Sequence, residues 1–193
     1  MRILCFGDSN TYGYDPRGFL ADRYPPECRW VDLTAQLTGH EFLNFGSNGR
    51  QIPRVCPSLP DYDLLLVMLG TNDLLSGTAP KEAAARMEGF LRTCLPHRRI
   101  LLVAPPPMKR GAWVGDEALV QASRELAAEY ELLAKKLGIS YSDTRNWNIE
   151  LAFDGIHFTE KGHRDFARRL SSFLCVGNNS TNTENPATTG FYK

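Results

Sequence analysis

An excess of charge of either sign is the first thing this 193-residue chain lacks. Its 22 Lys and Arg residues balance 22 Asp and Glu residues. That leaves no electrostatic footprint for a nucleic acid or an anionic membrane surface. No apolar run approaches the roughly 20 residues of a membrane span. The N-terminal apolar run, Ile3 to Phe6, stops at Gly7 and is too short for the core of a signal peptide. The five cysteines (Cys5, Cys28, Cys56, Cys94 and Cys175) are odd in number, scattered and never spaced C-x-x-C. A disulfide framework and a zinc site are therefore not expected, most of the thiols read as small core residues, and a reducing cytoplasm is the expected setting. Also missing are a G-x-S-x-G elbow, a P-loop and a G-x-G-x-x-G turn. Without such glycines, or basic residues beside them, a flavodoxin-like nucleotide binder is disfavoured.

What remains is ordinary globular composition, 42% hydrophobic and 23% charged, in a chain long enough to bury a substantial core. Apolar runs at Arg2–Phe6, Glu41–Phe45, Asp63–Leu69, Ile100–Ala104 and Ile139–Ser142 predict five strands. The third has no period-two alternation, as expected of a central parallel strand covered on both faces. Helical spacing predicts helices near Trp30–Leu37, Pro80–Leu95 and Asp116–Leu137, the first and last stopped at Gly39 and Gly138. A final helix starts from Thr159 as its N-cap, with Phe166, Leu170, Phe173 and Leu174 on its apolar stripe. The segments from Thr11 to Arg29 and from Ser47 to Tyr62 read as irregular connections. Strands alternating with helices imply an α/β fold, a parallel sheet with helices on both faces. Residues 1–176 form the expected single domain. Residues 177–193, rich in Asn, Thr, Ser, Gly and Pro, read as a flexible tail.

Ligands of such folds bind beyond the carboxyl ends of the strands, and the polar segments of this chain fall there. Ser9, after the first strand, is a nucleophile, a helix N-cap or a polar turn residue. Asp154-x-x-His157 places a carboxylate within one turn of an imidazole. This is the pairing a serine nucleophile needs in its base and the base's orienter, but it is equally a turn with a helix-capping histidine. Asn72, in Gly70-Thr71-Asn72-Asp73, offers an amide to an oxyanion or to its own turn, and Asp73 reads as the cap of the following helix. Gly46 and Gly49 suit either a tight turn or a close backbone approach to a ligand. His163 is expected on a helix surface, and His40 and His97 in exposed loops.

The order of these blocks is more specific than any one of them. Gly7-Asp8-Ser9, Gly49, Gly70-Thr71-Asn72-Asp73 and Asp154-x-x-His157 together resemble the GDSL, or SGNH, hydrolase family of esterases and lipases. The resemblance spans about residues 2 to 175 and is strongest to its aryl-esterase/acyltransferase branch. It implies a three-layer α/β/α sandwich with a five-stranded parallel sheet. It implies Ser9 as nucleophile, His157 as base and acid, Asp154 as its orienter, and an oxyanion hole of Ser9, Gly49 and Asn72, with Gly46 the alternative glycine. An acyl-enzyme would form on Ser9 without metal or organic cofactor. The expected substrate is a small-molecule, short-chain ester. Lysophospholipase or thioesterase chemistry and a non-catalytic carbohydrate-binding relative remain alternatives. The oligomeric state is left open. Asn10 stands where the family motif has leucine, making the neighbourhood of Ser9 more polar. Asn10, Tyr12 (with Tyr14) and Trp113, the last on a Pro105-Pro106-Pro107 loop expected to wall the site, are candidate substrate-binding residues.

Overall fold

Strand β3 (Leu64–Met68) is buried at every residue. Leu65 and Val67 join one apolar cluster while Leu64, Leu66 and Met68 join another on the opposite face. Two-sided burial, at about 1.5–3 kcal/mol per large apolar side chain, is the physical reason the run shows no alternation. The computed structural model describes residues 1–18, 23–94 and 99–179. Around β3 it places β1 (Arg2–Gly7), β2 (Glu41–Gly46), β4 (Arg99–Val103) and β5 (Ser140–Ser142), in the spatial order β2-β1-β3-β4-β5 with every pairing parallel. The chain therefore reverses its direction of winding between β1 and β3, the place where open parallel sheets form a crevice.

Helices α2 (Trp30–Thr38) and α6 (Glu160–Asn179) cover one face through Trp30, Val31, Phe166 and Leu170. Helices α4 (Pro80–Cys94) and α5 (Glu117–Leu137) cover the other through Met87, Phe90, Leu126 and Tyr130. This is the three-layer α/β/α sandwich expected. The end signals hold as well. Asp116 caps α5 by accepting the Ala118 N–H at 2.8 Å, and Gly138 ends it in a left-handed conformation. Thr159 caps α6 by accepting the Gly162 N–H at 3.0 Å. No helix among the described residues is long and apolar enough to cross a membrane.

The structure corrects several expectations. Two short helices were not anticipated: α1 (Ser9–Tyr12) and α3 (Thr71–Leu75). Both are too short to show an apolar period. Asp8, not Ser9, caps α1, accepting the Asn10 N–H at 3.0 Å. Asp73 lies inside α3 rather than capping a helix. His163 is not a surface residue but fully buried, because α6 packs its polar-looking flank onto Trp30, Tyr24 and Phe158. Phe173 is partly exposed, off the buried stripe. Only Cys5 and Cys94 of the cysteines are buried. Helix α6 continues to Asn179, three residues into the segment read as tail. Residues 180–193 and His97 lie outside the described residues.

Candidate active site

The carboxyl end of β1 delivers Gly7 and Asp8, and the first turn of α1 begins at Ser9. From the other end of the chain, the loop before α6 returns Asp154 and His157 to the same point. His157 Nε2 lies 2.9 Å from Ser9 Oγ, and His157 Nδ1 lies 2.7 Å from Asp154 Oδ2. The other carboxylate oxygen of Asp154 accepts the backbone N–H groups of Ile156 and His157 at 2.9 and 3.0 Å. Burial alone would push this carboxyl up. The His157 ring and the two N–H donors outweigh it and hold the Asp154 pKa below its ordinary value. All three side chains are nearly or wholly buried, so their hydrogen bonds work in a medium of low dielectric.

The Asp154 turn is built against the loop that follows β4. Gly155 has φ +83°, and a Cβ there would stand 2.1 Å from the Lys109 carbonyl oxygen, so only glycine fits. Lys109, Ala112 and Trp113 donate their N–H groups to the carbonyls of Gly155, Phe153 and Asp154. These bonds bring the Trp113 ring edge-on to His157, with centroids 5.5 Å apart, while Tyr14 lies 4.6 Å from the same imidazole on another side. The Pro105–Trp113 loop thus walls the site as expected.

Ser9, His157, Gly49 and Asn72 share a cavity of about 270 Å³. Its remaining wall includes Tyr14, Asn48, Leu75, Trp113 and Ile156. The two glycines lie in different surroundings. Gly46 ends β2 against the backbone of α1, where a Cβ would come within 2.0 Å of the Tyr12 nitrogen, and its N–H donates to Asn44 Oδ1 at 2.9 Å. Gly49 borders the cavity. Asn72 is oriented by donating to the Arg50 carbonyl at 3.1 Å.

The positioning roles of two residues escaped the sequence reading, which had taken Asp73 for a helix cap. The Arg50 guanidinium donates to the carbonyls of Gly7 and Phe45, tying the loop that carries Gly49 to the ends of β1 and β2. The buried carboxylate of Asp73 accepts the Ile52 N–H at 3.1 Å, tying the same loop to α3 and Asn72. Neither residue carries a local signal, since both act across contacts that only the fold creates. Burial also pushes the Asp8 carboxyl up to about 6, against the Asn10 N–H and the nearby His157 and Arg50.

Two of the three expected substrate-binding residues lie elsewhere. Asn10 is buried, with its side chain spent on the backbone of Ile156 and Phe158. Tyr12 turns away from the cavity, its ring under the Arg23 guanidinium at 4.3 Å and its carbonyl accepting from Arg23 Nε. Trp113 does border the cavity, and Tyr14 takes the place expected of Tyr12. Among the described residues no group of three or more His, Cys, Asp or Glu side chains is placed to hold a metal ion.

The model of the GDSL-like Lipase/Acylhydrolase family matches residues 5–164 of this chain. Among solved structures, the inhibitor-bound aryl esterase of M. smegmatis is 29% identical with a TM-score of 0.79, covering 91% of this chain and 98% of that one. A carbohydrate acetylesterase from Sinorhizobium meliloti is 25% identical with a TM-score of 0.77 and the same coverage. A G-D-S-L family protein from Veillonella parvula, 21% identical with a TM-score of 0.72 over 91% of this chain and 98% of its own, shares the fold. None of the curated proteins matches this chain.

Proposed function

Since the chain belongs to the GDSL-like lipase/acylhydrolase family, we propose that it is a serine esterase acting on small esters of short carboxylic acids. The supporting observation is the relay from Asp154 through His157 to Ser9, 2.7 and 2.9 Å per step, at the wall of the shared cavity. In the reaction, His157 Nε2 takes the Ser9 Oγ proton as the oxygen attacks the ester carbonyl. Asp154 fixes the ring and stabilises the imidazolium. The oxyanion is met by the N–H groups of Ser9 and Gly49 and by Asn72 Nδ2. Each such donor is worth about 3–4 kcal/mol of transition-state stabilisation. Collapse expels the alcohol with the proton held by His157 and leaves the acyl group on Ser9 Oγ. A water deprotonated by His157 then releases the acid.

The cavity supports a small, neutral substrate. About 270 Å³ bounded by Leu75, Ile156 and two aromatic rings accommodates a short acyl group. Among the described residues bordering it none is Lys or Arg, so its wall offers no cation to the phosphate of a lysophospholipid or a nucleotide-bearing thioester. The comparison structures include an aryl esterase and a carbohydrate acetylesterase, which agrees with short acyl groups on either kind of leaving group. The test is a p-nitrophenyl ester series of increasing chain length with the wild type and Ser9→Ala. The acetate should turn over fastest, with Ser9→Ala reduced to background. Equal turnover by the two proteins would overturn the reading.

A further inference from the structure

Asn10, where the family motif has leucine, holds the backbone on both sides of His157. Its Oδ1 accepts the Phe158 N–H at 2.9 Å, and its Nδ2 donates to the Ile156 carbonyl at 3.1 Å. One side chain thus mimics a paired strand against the peptide that carries the imidazole, across 148 residues of sequence. Asn10 is itself fixed at both backbone groups. Its N–H donates to Asp8 Oδ1, and its carbonyl accepts the Trp30 indole N–H at 2.9 Å. Asn10 follows Ser9 directly on α1, so a single rigid turn presents the hydroxyl and grips the residues flanking its base. A leucine here would fill similar space but leave a buried N–H and a buried C=O without these partners, which disfavours the same course of the backbone around His157.

We propose that Asn10 is a positioning residue that sets the register of His157 Nε2 on Ser9 Oγ, acting through the imidazole rather than on substrate. The proposal rests on the Ser9–His157 reading of the site. Misplacement of a base by about an ångström costs on the order of 100-fold in rate. Asn10→Leu should therefore lower kcat by about 10- to 100-fold with KM within about twofold. Because the effect runs through His157, the same substitution should cost nothing further in a His157→Ala background, where residual turnover no longer depends on the imidazole.

Asn10→Asp supplies a second readout. Its protonated acid can still donate to the Ile156 carbonyl and accept from Phe158, whereas the carboxylate cannot donate. Its turnover relative to wild type should therefore fall as pH rises through the titration of the introduced acid.

The experiment measures kcat and KM for p-nitrophenyl acetate across pH in wild type, Ser9→Ala, His157→Ala, Asn10→Leu, Asn10→Asp and Asn10→Leu/His157→Ala, with thermal melting as the folding control. A folded Asn10→Leu with wild-type kcat, or an equal loss in both backgrounds, overturns the proposal. Should Asn10→Leu fail to fold, Asn10→Asp decides, and a turnover ratio independent of pH overturns it. Undiminished turnover by Ser9→Ala would instead overturn the esterase reading itself, so the two failures are separable.

Discussion

Asp154 grips His157 at two places at once. One carboxylate oxygen holds ring Nδ1 at 2.7 Å and the other holds the backbone N–H at 3.0 Å. The ring's tautomer and the position of its main chain are thereby set by one buried group. Asp154→Asn keeps the shape but presents an amide to a ring nitrogen that must remain a donor. The expected loss in kcat is on the order of 10⁴-fold with little change in KM. Steady-state kinetics on p-nitrophenyl acetate check it, and a loss under tenfold would contradict the assignment.

Asn72 offers the cleanest test of the proposed oxyanion hole, because its side chain is already oriented by the Arg50 carbonyl. Asn72→Ala removes one donor without touching the Ser9–His157 pair. It should lower kcat by about 100- to 1,000-fold while leaving KM nearly unchanged. A change confined to KM would make Asn72 a ground-state binding residue instead.

His157 and Ser9 should behave as one unit. Each alanine variant is expected to be about as severe as the other, and the double variant no worse than either. General-base catalysis needs a neutral imidazole, so turnover should be lost in acid. Burial pushes the Asp8 carboxyl up to about 6, so Asp8→Asn tests whether that group carries the loss instead. The acid loss should persist in Asp8→Asn, and a loss abolished by that substitution would contradict the role of His157.

His163 should make the fold acid-sensitive. Burial, with Arg29 nearby, lowers its pKa to about 3, and its Nε2 has no hydrogen-bond partner among the described residues. The native state keeps the ring neutral while the unfolded chain protonates below about 6.5. The unfolded state then binds more protons, so stability is lost as pH falls from about 6.5 toward 3, at up to ~1.4 kcal/mol per pH unit. The raised Asp8 works in the opposite sense, its contribution fading as pH rises from about 4 to 6. Urea midpoints at about pH 7 and 5 in wild type and His163→Asn isolate the histidine. The wild type should lose more between the two than the variant, and parallel losses would contradict this.

The sheet was legible because burial writes itself into sequence: the apolar run at Leu64–Met68 and the cap signals at Asp116, Gly138 and Thr159 are local. The polar blocks were legible through their order, and the structure brings Ser9, Gly49, Asn72 and His157 to one cavity, with Asp154 behind the imidazole. Pairwise and long-range contacts were not legible. His163 looked like a surface residue because its helix position does not reveal Trp30 and Tyr24 packed over it. Asn10 looked like a pocket residue because its partners, Ile156 and Phe158, lie at the far end of the chain. Tyr12 and Tyr14 have the same local chemistry, and only the course of the chain around Arg23 separates them.

The proposed mechanism passes through a covalent acyl group at Ser9. Mixing the protein with p-nitrophenyl acetate, quenching in acid within the first turnovers and mapping the peptides by mass spectrometry tests it directly. A burst of p-nitrophenol is expected, matched by one acetyl group on the peptide bearing Ser9 and absent in Ser9→Ala. Turnover with no acetylated Ser9, or an acetyl group on another residue that disappears at the rate of turnover, would contradict it.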